Sequence, residues 1–187
     1  MKNIAIILFL LAAVQLATAQ KINTETSSIE WIGKKITGQH SGTIALQSGE
    51  LEMKDGALAG GNFVIDMTSI AVTDLSGGGA DKLKGHLMSD DFFSTEAHPT
   101  ASLMITDVNK AGLKGELMVT GDLTIKGVTE VINFPVVMQG ETATADILVD
   151  RTKYGIKYGS GSFFDNLGDK AIDNDFSLKV NLDLSSL

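Results

Sequence analysis

The sequence predicts an all-β protein, an up-and-down meander of about eight antiparallel strands closed into a barrel with a short helix near one mouth. Three observations carry that expectation. Apolar and polar residues alternate with period two along several stretches, the pattern of strands with one dry and one wet face. Two-residue turn pairs, Asp55-Gly56, Lys126-Gly127 and Gly140-Glu141, separate those stretches, and residues 109–112 form a slightly longer loop. Glycine is abundant and proline rare, 20 against 2. Strands joined this tightly pair with their chain neighbours, and closure into a barrel removes the exposed edges.

The chain opens on a secretory leader, residues 1–19. Lys2 is the positive start, an apolar run extends from Ile4 to Val14, and Ala17-Thr18-Ala19 offers small residues before a cut ahead of Gln20. The run falls short of the roughly 20 apolar residues that a spanning helix needs. Export to the periplasm or beyond follows, and residues 20–187 form one domain. Its strands are expected at 29–36, 42–46, 50–54 and 57–67, the last placing Phe63, Ile65 and Met67 on one face. Residues 73–98 lack alternation. Within them Leu83, Leu87 and Met88 are spaced for a short amphipathic helix, and Phe92-Phe93 follows to line or plug a barrel mouth.

The next strand, 100–108, carries Leu103 and Ile105. Strand 113–125 sets Leu113, Gly115, Leu117, Val119, Gly121, Leu123 and Ile125 against Lys114, Glu116, Met118, Thr120, Asp122 and Thr124. Strand 128–138 aligns Ile132, Phe134, Val136 and Met138. Pro135 falls inside it and has no N–H for a ladder, which marks a bulge or an edge at the barrel seam. Strand 142–149 precedes a glycine-rich irregular stretch, 154–173, with adjacent Phe163 and Phe164. The last strand alternates Phe176, Leu178, Val180, Leu182 and Leu184 with polar residues. Gly115, Gly121, Ala101, Ala143 and Ala145 share the apolar faces. Small residues there mean either interior space or the bends that closure requires, and the pattern leaves both open.

Composition excludes several chemistries. There is no cysteine, hence no thiol nucleophile, thiolate metal site or disulfide. The formal charge is -8, one unit more negative once Lys2 leaves with the leader, which disfavours nucleic acid and anionic headgroups. His40, His86 and His98 lack metal-ligand spacing. Asp173-Asn174-Asp175 lacks the rest of a calcium loop, and no Gly-x-Ser-x-Gly elbow is present. No enzyme activity, cofactor or metal is expected. Arg151, the sole arginine, either ties down the loop after it through a salt bridge or offers its planar fork to a ligand carbonyl or phosphate.

Four blocks, in order, resemble those of the YceI-like family of exported lipid-binding proteins. They are Lys84-Gly85-His86-Leu87-Met88-Ser89-Asp90-Asp91-Phe92-Phe93 with His98-Pro99-Thr100-Ala101, then Gly121-Asp122-Leu123-Thr124-Ile125-Lys126-Gly127-Val128-Thr129, Asp150-Arg151-Thr152-Lys153-Tyr154-Gly155-Ile156, and Gly168-Asp169-Lys170-Ala171-Ile172-Asp173-Asn174-Asp175-Phe176. The resemblance implies a lipocalin-like, eight-stranded antiparallel barrel holding a long apolar ligand of polyisoprenoid or fatty-acyl type. Met88, where lysine is common in the family, and Ala97-His98, in place of its basic-aromatic pair, depart from that pattern near the mouth.

The function expected is therefore a non-catalytic, exported carrier or reservoir for such a ligand. The alternatives are a stress or defence protein sequestering toxic or antibiotic hydrophobes, a lipid-acting hydrolase without a recognisable motif, and a scaffold with a filled core. The ligand-contacting residues expected are Phe63, Ile65, His86, Phe92, Phe93, Leu103, Ile105, Leu117, Val119, Ile132, Phe134, Arg151, Phe163, Phe164, Phe176 and Leu178. The partner is a hydrophobic small molecule or lipid such as a polyisoprenoid or fatty acid, without nucleic acid or stable membrane insertion. The oligomeric state stays open, a homodimer among the alternatives.

Overall fold

The computed structural model describes residues 17–110 and 115–185. Most of the leader (1–16), and Leu113 and Lys114 at the start of one expected strand, lie outside the described residues. Nine strands are present: β1 (Ala17–Lys21), β2 (Asn23–Lys35), β3 (Gly38–Lys54), β4 (Ala57–Val72), β5 (Thr100–Lys110), β6 (Glu116–Ile125), β7 (Val128–Gln139), β8 (Thr142–Asp150) and β9 (Ile172–Asp183). Strands β2 to β9 pair antiparallel with their chain neighbours, and β9 returns to pair with β2, so the meander closes as an eight-stranded barrel. β1 continues the β2 edge, pairing with the far half of β3. The expected cut after Ala19 falls within β1. Beyond it, Gln20 Nε2 donates to Leu184 O at 2.8 Å, and buried Ile22 donates its amide to Gly49 O at 3.0 Å.

The turn pairs adopt the backbone that hairpins need. Asp55-Gly56 (φ 52° and 77°) and Lys126-Gly127 (φ 52° and 75°) are both left-handed at each residue, the geometry whose twist matches that of the flanking strands. Residues 42–46 and 50–54, expected as two strands, belong to the single β3. Gln47 and Ser48 are exposed in succession, and the β3–β4 register shifts between Leu46 and Ser48. A bulge there resets the alternation without ending the strand, so a period-two reading sees two elements. β4 likewise outruns its expected end, because a second irregularity lets both Met67 and Ile70 turn inward.

One end of the barrel, called the upper end below, carries the helix and the two long irregular segments. Helix α1 (Gly78–Met88), the 89–99 segment and the 151–171 segment all cover it. The segment after β8 opens with a 3-10 turn, Arg151–Tyr154, which Asp150 caps by accepting the Thr152 amide at 2.9 Å. The aliphatic and aromatic faces of the strands meet inside, with Val119 and Ile156 fully buried and Phe63, Phe134 and Ile147 nearly so.

Candidate functional site

The barrel interior is not filled. A cavity of about 190 Å³ runs through it, bounded almost wholly by apolar atoms from all eight barrel strands. For scale, an apolar cavity of about 150 Å³ in another protein stays dry and admits benzene. Phe63 and Ile65 (β4), Leu103 and Ile105 (β5), Ile132 and Phe134 (β7), and Phe176 and Leu178 (β9) line it. Their positions follow from alternation: successive side chains on a strand point to opposite faces, and closure turns one face inward. Ala101, Ala143 and Ala145 border the cavity too, so small residues at those positions leave space. Gly121 does not. A Cβ there would lie 2.9 Å from Leu103 Cδ1 and from Met104 O, so this glycine permits a close approach of β5. Gly115 is exposed in a turn at φ 80°.

The upper end is closed by Leu87 of α1, Phe92, Phe93 and Arg151, all of which face the cavity. Phe92 is held in an aromatic cluster, 5.0 Å from the His86 ring and 6.0 Å from those of Phe93 and Tyr158. The Arg151 guanidinium lies 5.6 Å from the Phe92 ring centre, a cation–π placement. Arg151 is 3 % exposed and each of its nitrogens donates to a main-chain carbonyl: Nε to Asp173 O (2.9 Å), Nη1 to Ile156 O (2.8 Å) and Nη2 to Ile172 O (3.1 Å). It therefore ties down the following loop, as one expectation had it, but through carbonyls. Among the described residues no carboxylate forms an ion pair with it. Burial pulls its pKa below the ordinary arginine value, opposed by Asp150 and Asp173.

Five expected contact residues lie elsewhere. His86 sits behind Phe92 and does not border the cavity; its ring packs 4.5 Å from that of Tyr158, and its buried Nε2 has no partner among the described residues. Leu117 and Val119 are spent on the packed core away from the cavity. Phe163 and Phe164 project outward, 47 % and 52 % exposed. Their amides both bond to Ser160 O, at 3.1 and 3.0 Å, and Ser160 is anchored to Asn174 at 2.6 Å. That turn fixes the two rings on the outer side, where Lys157 Nζ covers Phe163 at 4.8 Å. Adjacent aromatics in a loop carried no periodicity from which their direction followed.

Trp31, Met67, Ile70 and Ile147 also line the cavity, beyond the contact residues expected from sequence. Trp31 and Ile147 were accessible from alternation within their expected strands; Ile70 was hidden by the β4 irregularity. The histidines do not converge: His40 pairs with Asp74 at 2.8 Å, and His98 packs against Gly127. Among the described residues no group of three His, Asp or Glu side chains is arranged to hold a metal ion.

Comparison with known proteins places this geometry in a family. The model of the YceI-like domain matches residues 20–184. A UPF0312 protein of Photorhabdus laumondii is 41% identical over 73 residues, which is 39% of this chain and 34% of that protein. The match thus spans about a third of that relative's length. The crystal structure of BcnA from Burkholderia cenocepacia superposes with a TM-score of 0.67 at 20% identity, covering 86% of this chain and 98% of that one. A polyisoprenoid binding domain from Saccharophagus degradans gives 0.59 at 13% identity, covering 91% and 100%.

Proposed function

This chain belongs to the YceI-like family, and on that premise we propose that it is an exported, non-catalytic carrier or reservoir holding a long apolar ligand, polyisoprenoid or fatty-acyl in type, inside its barrel. The single observation that carries the reading is the apolar cavity of about 190 Å³. A packed barrel of eight strands has just enough width to fill itself with side chains or to hold one small ligand, and here alanines stand at 101, 143 and 145 where larger residues would close the space. Each buried methylene of a ligand contributes about 0.8 kcal/mol. A tail of about ten therefore gains roughly 8 kcal/mol before ordering costs, enough for binding without polar anchors. The Saccharophagus domain, described as polyisoprenoid binding, supports the ligand class.

Native mass spectrometry of protein purified from its own host, followed by solvent extraction, tests the reading. A co-purifying lipid is expected, together with uptake of a fluorescent fatty acid. Absence of both would overturn it. Export is tested separately: protein recovered from the cell envelope or medium should begin at Gln20, and a chain retained in the cytoplasm with Met1 intact would refute that part.

A further inference from the structure

Of the exposed residues that border the cavity, all but Thr144 gather at one corner of the upper end: Lys34 of β2, and Asp173 and Asp175 of β9. The ladder between the two strands is interrupted there. Gly33 pairs with Phe176 and Lys35 with Ile172, so Lys34 alone faces Asp173, Asn174 and Asp175. The extra residues make a bulge on β9, and the carbonyls of Ile172 and Asp173 accept from Arg151 at 3.1 and 2.9 Å.

Gly33 supplies a second, independent observation. Ile29, Trp31 and Gly33 alternate along the inward face of β2, and all three border the cavity. A Cβ at Gly33 would meet no atom within 4 Å, unlike one at Gly121. Its φ lies outside the left-handed region, so the backbone does not demand glycine. Phe176 stands directly across from it but packs its ring edge-on against Phe93, 6.1 Å between centres, and leaves the space empty. Neither strain nor close approach accounts for this glycine. What the missing side chain leaves is room on the cavity wall, beside the interrupted ladder.

From this geometry, and resting on the hydrophobe-binding reading above, we propose that the β2–β9 corner is the mouth through which an apolar ligand enters and leaves the barrel, and that Gly33 sets its width. Phe93 and Phe176, both half-buried and both bordering the cavity, form the apolar lip opposite Gly33. A hydrocarbon chain passing between them exchanges water for ring surface before it reaches the interior. The outer rim mixes one cation, Lys34, with two carboxylates, Asp173 and Asp175, so width rather than charge governs access.

The chain has no cysteine, so Gly33→Cys places a single thiol at the mouth. The thiol fits the open space, and the variant should take up a fluorescent fatty acid within about twofold of the native rate. Coupled to a bulky maleimide, the same protein should take up and release the fatty acid about tenfold more slowly, the rate equivalent of about 1.4 kcal/mol of added barrier. Loaded with fatty acid beforehand, it should react with the maleimide more slowly than when empty. Val131→Cys, exposed on β7 and away from the cavity, should accept the label with neither rate changed. Lys34→Cys, exposed at the rim, repeats the block should Gly33→Cys lower the Tm. A thiol at either position that resists the maleimide in the folded protein, or labelled proteins that exchange fatty acid at the native rate, overturn the mouth and leave the cavity reading intact. An unaltered protein that takes up no fatty acid overturns both.

Discussion

Replacing Arg151 by methionine tests whether one buried guanidinium holds the cover of the barrel. Methionine keeps much of the apolar stem and loses the fork. Ile156 is fully buried, so its carbonyl, deprived of Nη1, is stranded at about 1–3 kcal/mol. The carbonyls of Asp173 and Ile172 belong to less buried residues and regain water, so each lost bond costs about 0.5–1.5 kcal/mol. Relief from burying a cation offsets part of the loss. The net expectation is about 3 kcal/mol, or about 6–12 °C in Tm at about 2–4 °C per kcal/mol for a chain of this length. Urea unfolding and calorimetry at neutral pH measure it. Arg151→Lys should recover less than half, because an ammonium is a point charge that cannot span three carbonyls in one plane. A loss below about 1 kcal/mol for Arg151→Met, or full rescue by lysine, would refute the claim that the fork secures the loop.

Three further outcomes follow from the same structure. Phe134→Asp places a carboxylate where the native ring is 4 % exposed and should abolish folding, since an unpaired buried charge costs several kcal/mol on top of the lost ring; Val131→Asp, at 61 % exposure on the same strand, should shift stability by no more than about 0.5 kcal/mol. Circular dichroism of the purified variants separates the two, and a folded Phe134→Asp protein of native Tm would contradict the inward face. The Tyr154 phenol is pushed up to about 12 by burial, with Glu130 and Asp150 adding to it. Its folded pKa lies above the ordinary value of about 10, so the stability this phenol contributes is complete below about pH 10 and is lost as the pH rises to about 12. The phenolate absorbance step removed by Tyr154→Phe should therefore lie near pH 12, and the variant should resist base unfolding to higher pH; a step at the ordinary position would show the phenol to be solvated. Phe163→Ser and Phe164→Ser should each change probe uptake by less than about twofold, as expected of exposed side chains away from the cavity, and a larger loss in either would place that ring in the ligand's path.

Much of the fold was legible locally. Alternation is a property of each strand by itself, so Leu103, Ile105, Ile132, Phe134, Phe176 and Leu178 were assigned to one dry face without knowledge of any neighbour, and all six border the cavity. The hairpin pairs were legible for the same reason: Asp55-Gly56 and Lys126-Gly127 adopt their left-handed backbone within two residues. Pro135, expected at a bulge or an edge because a missing N–H is visible in the sequence, stands where the β7–β8 ladder ends.

What sequence alone left undecided depends on contacts distant along the chain. Whether an inward residue meets space or another side chain is set by the strand across the barrel, so Val119 and Ile105, equally apolar and alternating, end in packed core and cavity wall respectively. Gly121, which the pattern leaves open between space and bend, is a close approach decided by the path of β5. The outward turn of Phe163 and Phe164 depends on the bond between Ser160 and Asn174. Local pattern determined which faces are dry; only closure of the barrel decided where that dryness encloses a cavity, because packing is a relation between strands and periodicity is a property of one.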